Sequence, residues 1–114
     1  MARPVKCRRV CAMPEFREFG PAGGGRGEEP IALRVDEYEA MRLIDYLGLS
    51  QEEAAAGMAV SRATIQGIYE TARKKLAAAL VEGKCLQVGG GVYQICPKER
   101  QCRGKRCCRR GEEP

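Results

Sequence analysis

The chain has 114 residues, of which 44% are hydrophobic but only 5% aromatic, and it contains neither tryptophan nor histidine. This predicts one small domain with an aliphatic core, of a size that is often marginally stable alone, so a homodimer is one way to bury more surface. With no signal peptide and no apolar run near the ~18 residues of a membrane span, we expect a cytoplasmic protein with no membrane partner. Without histidine or a phosphate-binding loop motif, we expect no enzyme.

Positive charge is concentrated at the two ends of the chain. Residues 1–11 carry a net charge of +4 and residues 97–110 carry +6, whereas residues 12–96 carry −3. Basic ends on a mildly acidic body are typical of arms that bind a polyanion. The alternative is that basic tails only keep the protein in solution.

The first 30 residues are predicted to form a basic N-terminal arm followed by a glycine-rich loop. Arg8 and Arg9 are candidate ligands of DNA phosphates, and the two phenylalanines, Phe16 and Phe19, are expected to dock on the core. Glycines alone do not make a phosphate cradle, because the lysine and hydroxyl residue that complete such a motif are missing.

Residues 31–82 are predicted to form a helix-turn-helix domain that starts with a short strand, Ile31–Val35. Asp36 is predicted to cap a first helix that runs to about Leu47, with Glu39 completing a capping box and Gly48 ending the helix. The acids Glu37, Glu39 and Asp45 are predicted to lie on a solvated face of that helix.

The centre of the domain is residues 50–80, which predict two helices joined by a tight turn. Ser50 and Glu53 form a capping box for a helix of about residues 51–58, the turn is Ala59-Val60, and Ser61 caps the next helix. That helix shows an apolar stripe at three- and four-residue spacing: Ile65, Ile68, Ala72, Leu76 and Leu80. If Ala59 needs a positive φ, its side chain costs on the order of 1 kcal/mol. An ordinary pair of packed helices is the alternative to a DNA-reading unit.

The outward side of the second helix carries residue types that read bases in the major groove. Arginine bonds guanine, glutamine bonds adenine, alanine contacts a thymine methyl, and glycine lets the backbone approach closely. The predicted base-reading residues are Arg62, Ala63, Gln66, Gly67 and Glu70. Hydroxyl and cationic side chains are suited to the DNA backbone. The predicted phosphate ligands here are Ser61, Thr64, Arg73, Lys74 and Lys75.

Residues 83–96 are predicted to form a β-hairpin around Gly89-Gly90-Gly91, with Ile31–Val35 as a third strand because a lone hairpin is barely stable. An alternative is pairing across a dimer. The basic, cysteine-rich tail, 97–114, has no large apolar residue, and we expect it to be disordered unless a metal gathers it.

Seven cysteines without histidine leave thiolates as the soft metal ligands of this chain. A zinc ion or an iron–sulfur cluster is the cofactor that such ligands favour. The spacing contains no CxxC pair, so unligated thiols are the alternative, and Cys85 is expected in the core. The candidate metal ligands are Cys7, Cys11, Cys96, Cys102 and Cys107.

Two resemblances make the interpretation more specific. The run LSQEEAAAGMAVSRATIQGIYETARKKLAAAL resembles the promoter-reading fourth region of sigma factors. The segments MARPVKCRRVCAMPE, VDEYEAMRLIDYLGLSQEEAA and ARKKLAAALVEGK are similar to a prokaryotic family of predicted DNA-binding proteins, domain-of-unknown-function family 134, over about residues 1–96. The resemblance implies a helix-turn-helix DNA-binding protein. Some members of that family are joined to domains of the iron–molybdenum cofactor-binding type, which favours metal biology by association only.

The predicted fold is mainly α: a three-helix helix-turn-helix domain with a short strand, a C-terminal hairpin and basic cysteine-containing tails. The leading functional hypothesis is a sequence-specific transcriptional regulator that binds double-stranded DNA through helix 62–80. The second is a cysteine-ligated metal or iron–sulfur sensor or carrier whose helices are mainly scaffold. The third is binding of RNA or DNA of any sequence through the tails.

Overall fold

A computed structural model describes residues 8–24, 29–91 and 93–95 of the chain. Its three α-helices are α1 (Val35–Met41), α2 (Gln51–Met58) and α3 (Arg62–Glu82), and a π-helical segment, Arg42–Tyr46, continues α1. Five short strands are β1 (Arg8–Val10), β2 (Glu18–Phe19), β3 (Ile31–Leu33), β4 (Leu86–Val88) and β5 (Tyr93–Ile95). The described part is mainly helical, as predicted, and none of its helices is long and apolar enough to cross a membrane.

The boundaries of α2 and α3 follow the capping residues that the sequence predicts. The Ser50 hydroxyl accepts the Glu53 N–H at 3.0 Å, and the Glu53 carboxylate accepts the Ser50 N–H at 3.0 Å. The Ser61 hydroxyl accepts the Thr64 N–H at 3.1 Å at the start of α3. Gly83, in the left-handed region at φ 69°, ends α3. Each cap satisfies backbone groups that a helix end otherwise leaves unpaired.

The first helix begins earlier than predicted. Arg34 is its N-cap, and the Arg34 N–H donates to the Glu37 carboxylate at 2.9 Å. The prediction that Asp36 caps the helix with Glu39 is therefore wrong, because Glu37 already provides the hydrogen bond three residues after the true cap. Gly48 follows the π-helical segment at φ 80°, so the predicted end of the helical stretch is confirmed.

The C-terminal strands do not form the predicted hairpin. β4 is the centre of a three-stranded sheet of order β2-β4-β3, antiparallel to β2 and parallel to β3, whereas β5 pairs parallel with β1. The Gly89 N–H donates to the Leu33 carbonyl, and the Val35 N–H donates to the Gly90 carbonyl. The glycine run therefore continues along β3 and does not fold back on β4. The predicted association of residues 31–35 with this region is confirmed through β3.

Two apolar clusters lie along the inward face of α3, one toward its N-terminal end and one toward its C-terminal end. One joins the helices and contains Ala40, Leu43, Leu49, Ala54, Ala55, Met58, Ile65 and Ile68. The other lies under the three-stranded sheet and contains Leu33, Ala72, Ala79, Leu86 and Val88. Two predictions fail here: Phe16 and Phe19 do not dock on the core, and Leu80 at the end of the stripe is exposed.

Of the three acids predicted to lie on a solvated face, Asp45 is exposed, whereas Glu37 and Glu39 are buried. Asp36, Glu37 and Glu39, called the acid cluster below, are all fully buried. Asp36 accepts Arg34 Nε at 3.1 Å and Arg8 Nη1 at 3.4 Å, and this pairing raises the pKa of the Arg34 guanidinium. Buried carboxylates persist only with such partners, because an uncompensated buried charge is strongly unfavourable.

The remaining partners of the acid cluster connect α1 to α3 and to the N-terminal segment. Glu37 accepts the Lys75 ammonium at 2.8 Å. Glu39 accepts Arg42 at 2.8 Å and the backbone N–H of buried Cys11 at 3.0 Å. The residues around Arg8, predicted as part of a basic arm, therefore form a strand held against the helices through this cluster.

Candidate nucleic-acid interface

The turn between α2 and α3 holds an alanine in the left-handed conformation. Ala59 has φ 59° and ψ 44°, and no other non-glycine residue in the described ranges has a positive φ. The Val60 N–H donates to the Ala55 carbonyl at 3.0 Å, and the Ala59 N–H donates to the Ala56 carbonyl at 3.2 Å. These two bonds are the Schellman pair that ends a helix and redirects the chain. The strain considered for this position, on the order of 1 kcal/mol, therefore applies.

The five predicted base-reading residues lie together on the outward side of α3. Arg62, Ala63, Gln66, Gly67 and Glu70 are all exposed, and we call them the reading surface. A side chain at Gly67 would meet nothing within 4 Å, so packing does not require glycine there. The arrangement follows from helical spacing, because the opposite side of the same turns is buried in the helical core.

The two hydroxyl residues predicted to bind phosphate lie at the N-terminus of α3. The Ser61 hydroxyl donates to the Thr64 hydroxyl at 2.9 Å. Ser61 is exposed and Thr64 is half-buried. A helix N-terminus carries partial positive charge, which favours a nearby anion. Lys74, about one turn beyond Glu70 at the end of the reading surface, is exposed and forms no ion pair within the described residues.

Arg73 contacts Tyr69, a partner that the sequence did not predict. Its guanidinium lies 5.4 Å from the Tyr69 ring centre and donates to the Tyr69 hydroxyl at 3.1 Å. That hydroxyl donates in turn to Asp45 at 2.7 Å, and this hydrogen bond raises the pKa of Tyr69, so the phenol stays protonated. The spacing of Tyr69 and Arg73, four residues apart, is the signal that could have identified the pair.

Two other predicted phosphate ligands have partners inside the protein. Lys75 pairs with Glu37 and Arg8 pairs with Asp36, and both cations are half-buried. If either cation moved to a phosphate, its buried carboxylate partner would lose a positive charge that stabilises it. Arg9, in β1, is half-buried as well.

The predicted metal ligands fall mostly outside the described residues. Cys7, Cys96, Cys102 and Cys107 lie there, whereas Cys11 is buried and disulfide-bonded. Cys85, expected in the core, is a half-buried free thiol. Within the described ranges no group of three or more histidine, cysteine or acidic side chains is placed to hold a metal. The metal hypothesis stays a prediction.

The comparisons with known proteins place the chain in one family. It is 49% identical over 111 residues to a UPF0251 protein of Desulfitobacterium hafniense, covering 96% of this chain and 89% of that protein. It is 42% identical to a UPF0251 protein of Methanococcus vannielii, covering 92% and 82%, and 50% identical to one of Chlorobaculum tepidum, covering 88% of this chain but 51% of that protein. No solved structure matches. Since residues 1–96 match the family described as "Protein of unknown function DUF134", the chain belongs to that family.

Proposed function

We propose that this protein is a sequence-specific double-stranded DNA-binding protein, a transcriptional regulator with a helix-turn-helix like the fourth region of sigma factors. The reading surface enters the major groove and reads base edges. The observation that carries the proposal is the placement of five base-reading residue types on one exposed side at the start of a long helix that follows a tight turn.

The local geometry supports this proposal. In a helix-turn-helix the second helix enters the groove with its N-terminal residues against the bases. Here α3 has 21 residues, and its outward side begins at Arg62 directly after the Ser61 cap. The inward side is held by buried Ile65 and Ile68, so the reading surface is part of a rigid element. A rigid helix avoids the backbone part of the ordering cost on binding, so only the side chains of arginine and glutamine lose conformational freedom.

The positions of the cations support base reading at the start of α3 and phosphate binding further along it. Arg62 lies at the base-reading end, where a bidentate contact to guanine discriminates between sequences. Lys74 and Arg73 lie about 17 to 18 Å further along the helix axis, at 1.5 Å per residue, where cations neutralise phosphates without reading sequence. Both remain exposed to solvent. Lys75 and Arg8 are left out of this assignment because the acid cluster already holds them.

The experiment is selection of bound duplexes from a random DNA pool by the full chain, near physiological salt. We expect a consensus sequence, and we expect the Arg62→Ala, Gln66→Ala double variant to lose it, because those side chains supply the base contacts. Binding of the selected duplex is then measured at several salt concentrations, since affinities without a stated salt concentration cannot be interpreted.

The matched control is the Arg17→Ala, Gln87→Ala double variant. It removes the same two residue types and the same charge from exposed positions at the sheet. It should select the same consensus as the wild type. Enrichment of no sequence by the wild-type chain, or equal loss of the consensus by both double variants, would contradict the proposal.

A further inference from the structure

A wide apolar groove runs along the side of the molecule near the C-terminal end of α3. It has a volume of about 1260 Å³ and lies between residues 12–21, the end of α1 with its π-helical segment, the last turns of α3 and the three-stranded sheet. Six large apolar or aromatic residues that line it define what we call the apolar groove: Phe16, Phe19, Met41, Tyr46, Leu76 and Leu80.

The side chains around the groove leave an unusual amount of apolar surface in water. Phe16 is 69% exposed, Phe19 50%, Tyr46 82% and Leu80 76%. At roughly 150–250 Å² for an aromatic side chain, these four residues expose on the order of 500 Å². A stable dimer of standard size buries about 800 Å² on each partner, so these four residues can supply a large part of that area where their exposed sides face the partner.

We propose that the apolar groove is the interface of a symmetric homodimer, occupied by the same groove of a second copy of this chain. Residue types support a protein partner, because aromatic residues and methionine are enriched in the buried centres of interfaces. The volume also supports it, since small-molecule pockets usually measure about 300–1,000 Å³ and this groove is larger.

The charges around the groove favour a second copy over a strongly charged partner. Glu15 and Asp45 line it together with Arg42 and Lys84, two acids and two bases. In a two-fold symmetric interface the same patch faces itself, so a patch of one sign would repel its own copy. A patch that carries both signs equally can pair with itself.

The remaining parts of this chain do not offer an occupant. The segments outside the described residues contain three large aliphatic side chains, Met1, Val5 and Val92. Those side chains are too few to match the aromatic surface of the groove.

The position of the groove leaves the reading surface free. Leu80 lies 18 residues after Arg62 on the same helix, about 27 Å along its axis at 1.5 Å per residue. A dimer formed through the groove would therefore hold two copies of α3 by their C-terminal ends and leave both N-terminal ends exposed. The inference does not depend on DNA binding, however, because it rests on the apolar surface and the charges around the groove.

The experiment is sedimentation equilibrium of the full chain without DNA, at protein concentrations from about 1 to 200 µM, which bracket a micromolar association. Non-reducing gel electrophoresis of the same samples checks for intermolecular disulfides, since a reductant would also break the disulfide of Cys11. We expect a reversible monomer–dimer equilibrium for the wild type. The Leu80→Glu variant should weaken it at least about 30-fold, because it places a charge in the desolvated centre of the interface.

The control variant is Val81→Glu, which makes the same change of charge one residue later. Val81 is 83% exposed and does not line the groove, since it points about 100° away around the helix. It should keep the dimer within about threefold of the wild-type dissociation constant. Circular dichroism should show both variants folded, because both positions are exposed.

Three results would overturn the inference. The wild type could remain monomeric at all concentrations, both variants could dimerise like the wild type, or both could dissociate equally. The second result would place the interface elsewhere, and the third would indicate a general effect of negative charge near the end of α3. None of these results bears on DNA binding, so each proposal can fail by itself.

Discussion

Lys74 and Lys75 are neighbours on α3, yet the structure gives them opposite surroundings. Lys74 is exposed, whereas the Lys75 ammonium lies 2.8 Å from a carboxylate oxygen of fully buried Glu37. The difference extends along the helix: its outward side carries the reading surface, and its inward side packs on the core and the acid cluster. Charges on the outward side are available to a ligand, and charges on the inward side are part of the fold.

The largest effect expected from this comparison is on stability. Lys75→Ala should lower the free energy of unfolding by about 3 kcal/mol, because it removes a partner from a buried carboxylate. Lys74→Ala should change it by less than about 0.5 kcal/mol, as exposed substitutions usually do. Urea denaturation of both variants measures the difference. Similar losses for both would mean that Lys75 is not paired with Glu37 in solution.

The next effect separates base reading from phosphate binding on the outward side. Arg62→Ala should cost about 1–3 kcal/mol of binding free energy and relax the preference at one base pair. Lys74→Ala should weaken binding to all sequences equally and reduce the salt slope by about 1. Fluorescence anisotropy with the selected duplex and its single-base variants measures both. A loss that is uniform across sequences for Arg62→Ala as well would place Arg62 at the backbone.

The helices of this comparison were predictable because their signals are local. Ser50 and Glu53 are three residues apart, and Ser61 caps α3 through Thr64, also three residues away. The turn at Ala59 was predictable because it lies between the end of α2 and Ser61, the cap of α3. Spacing within a few residues also places the reading surface on one side of the helix, so its exposure was predictable, whereas its base-reading role stays a prediction.

The inward partners were not predictable because they are distant in the chain. Lys75 is 38 residues from Glu37, and Arg8 is 28 residues from Asp36. A carboxylate on a helix looks solvent-exposed unless its partner is known, so Glu37 and Glu39 were assigned to the wrong side. The strands show the same limit, since β4 and β5 are neighbours in sequence but pair with strands far from them.

The Gly67→Ala variant tests whether the backbone of α3 approaches a base pair closely at Gly67. Because a methyl group there would meet nothing within 4 Å, Gly67→Ala should fit without rearrangement. It should raise the free energy of unfolding by about 1 kcal/mol, the difference in helix propensity between glycine and alanine. If the backbone approaches a base pair at this point, the same change should weaken DNA binding about tenfold or more.

The control for that variant is Thr71→Ala, an exposed position on α3 outside the reading surface. It should also raise the free energy of unfolding, by a few tenths of a kcal/mol, roughly the difference between threonine and alanine in helices. Its DNA affinity should equal that of the wild type. Thermal denaturation and anisotropy are measured on the same samples. Unchanged binding by Gly67→Ala would remove Gly67 from the reading surface.

Ala59 joins the two sides of the comparison, since the turn sets the direction in which α3 leaves α2. Its left-handed conformation costs an alanine about 1–2 kcal/mol, which a glycine avoids, although glycine loses about 0.4–1 kcal/mol more to chain entropy. Ala59→Gly should therefore stabilise the fold by roughly 0.5 kcal/mol. Because the hydrogen bonds of the turn are made by backbone groups, they persist in the variant, and the base preference should not change. Destabilisation by about 1 kcal/mol or more would show that Ala59 is not left-handed in solution, because only the entropic cost of glycine would then remain.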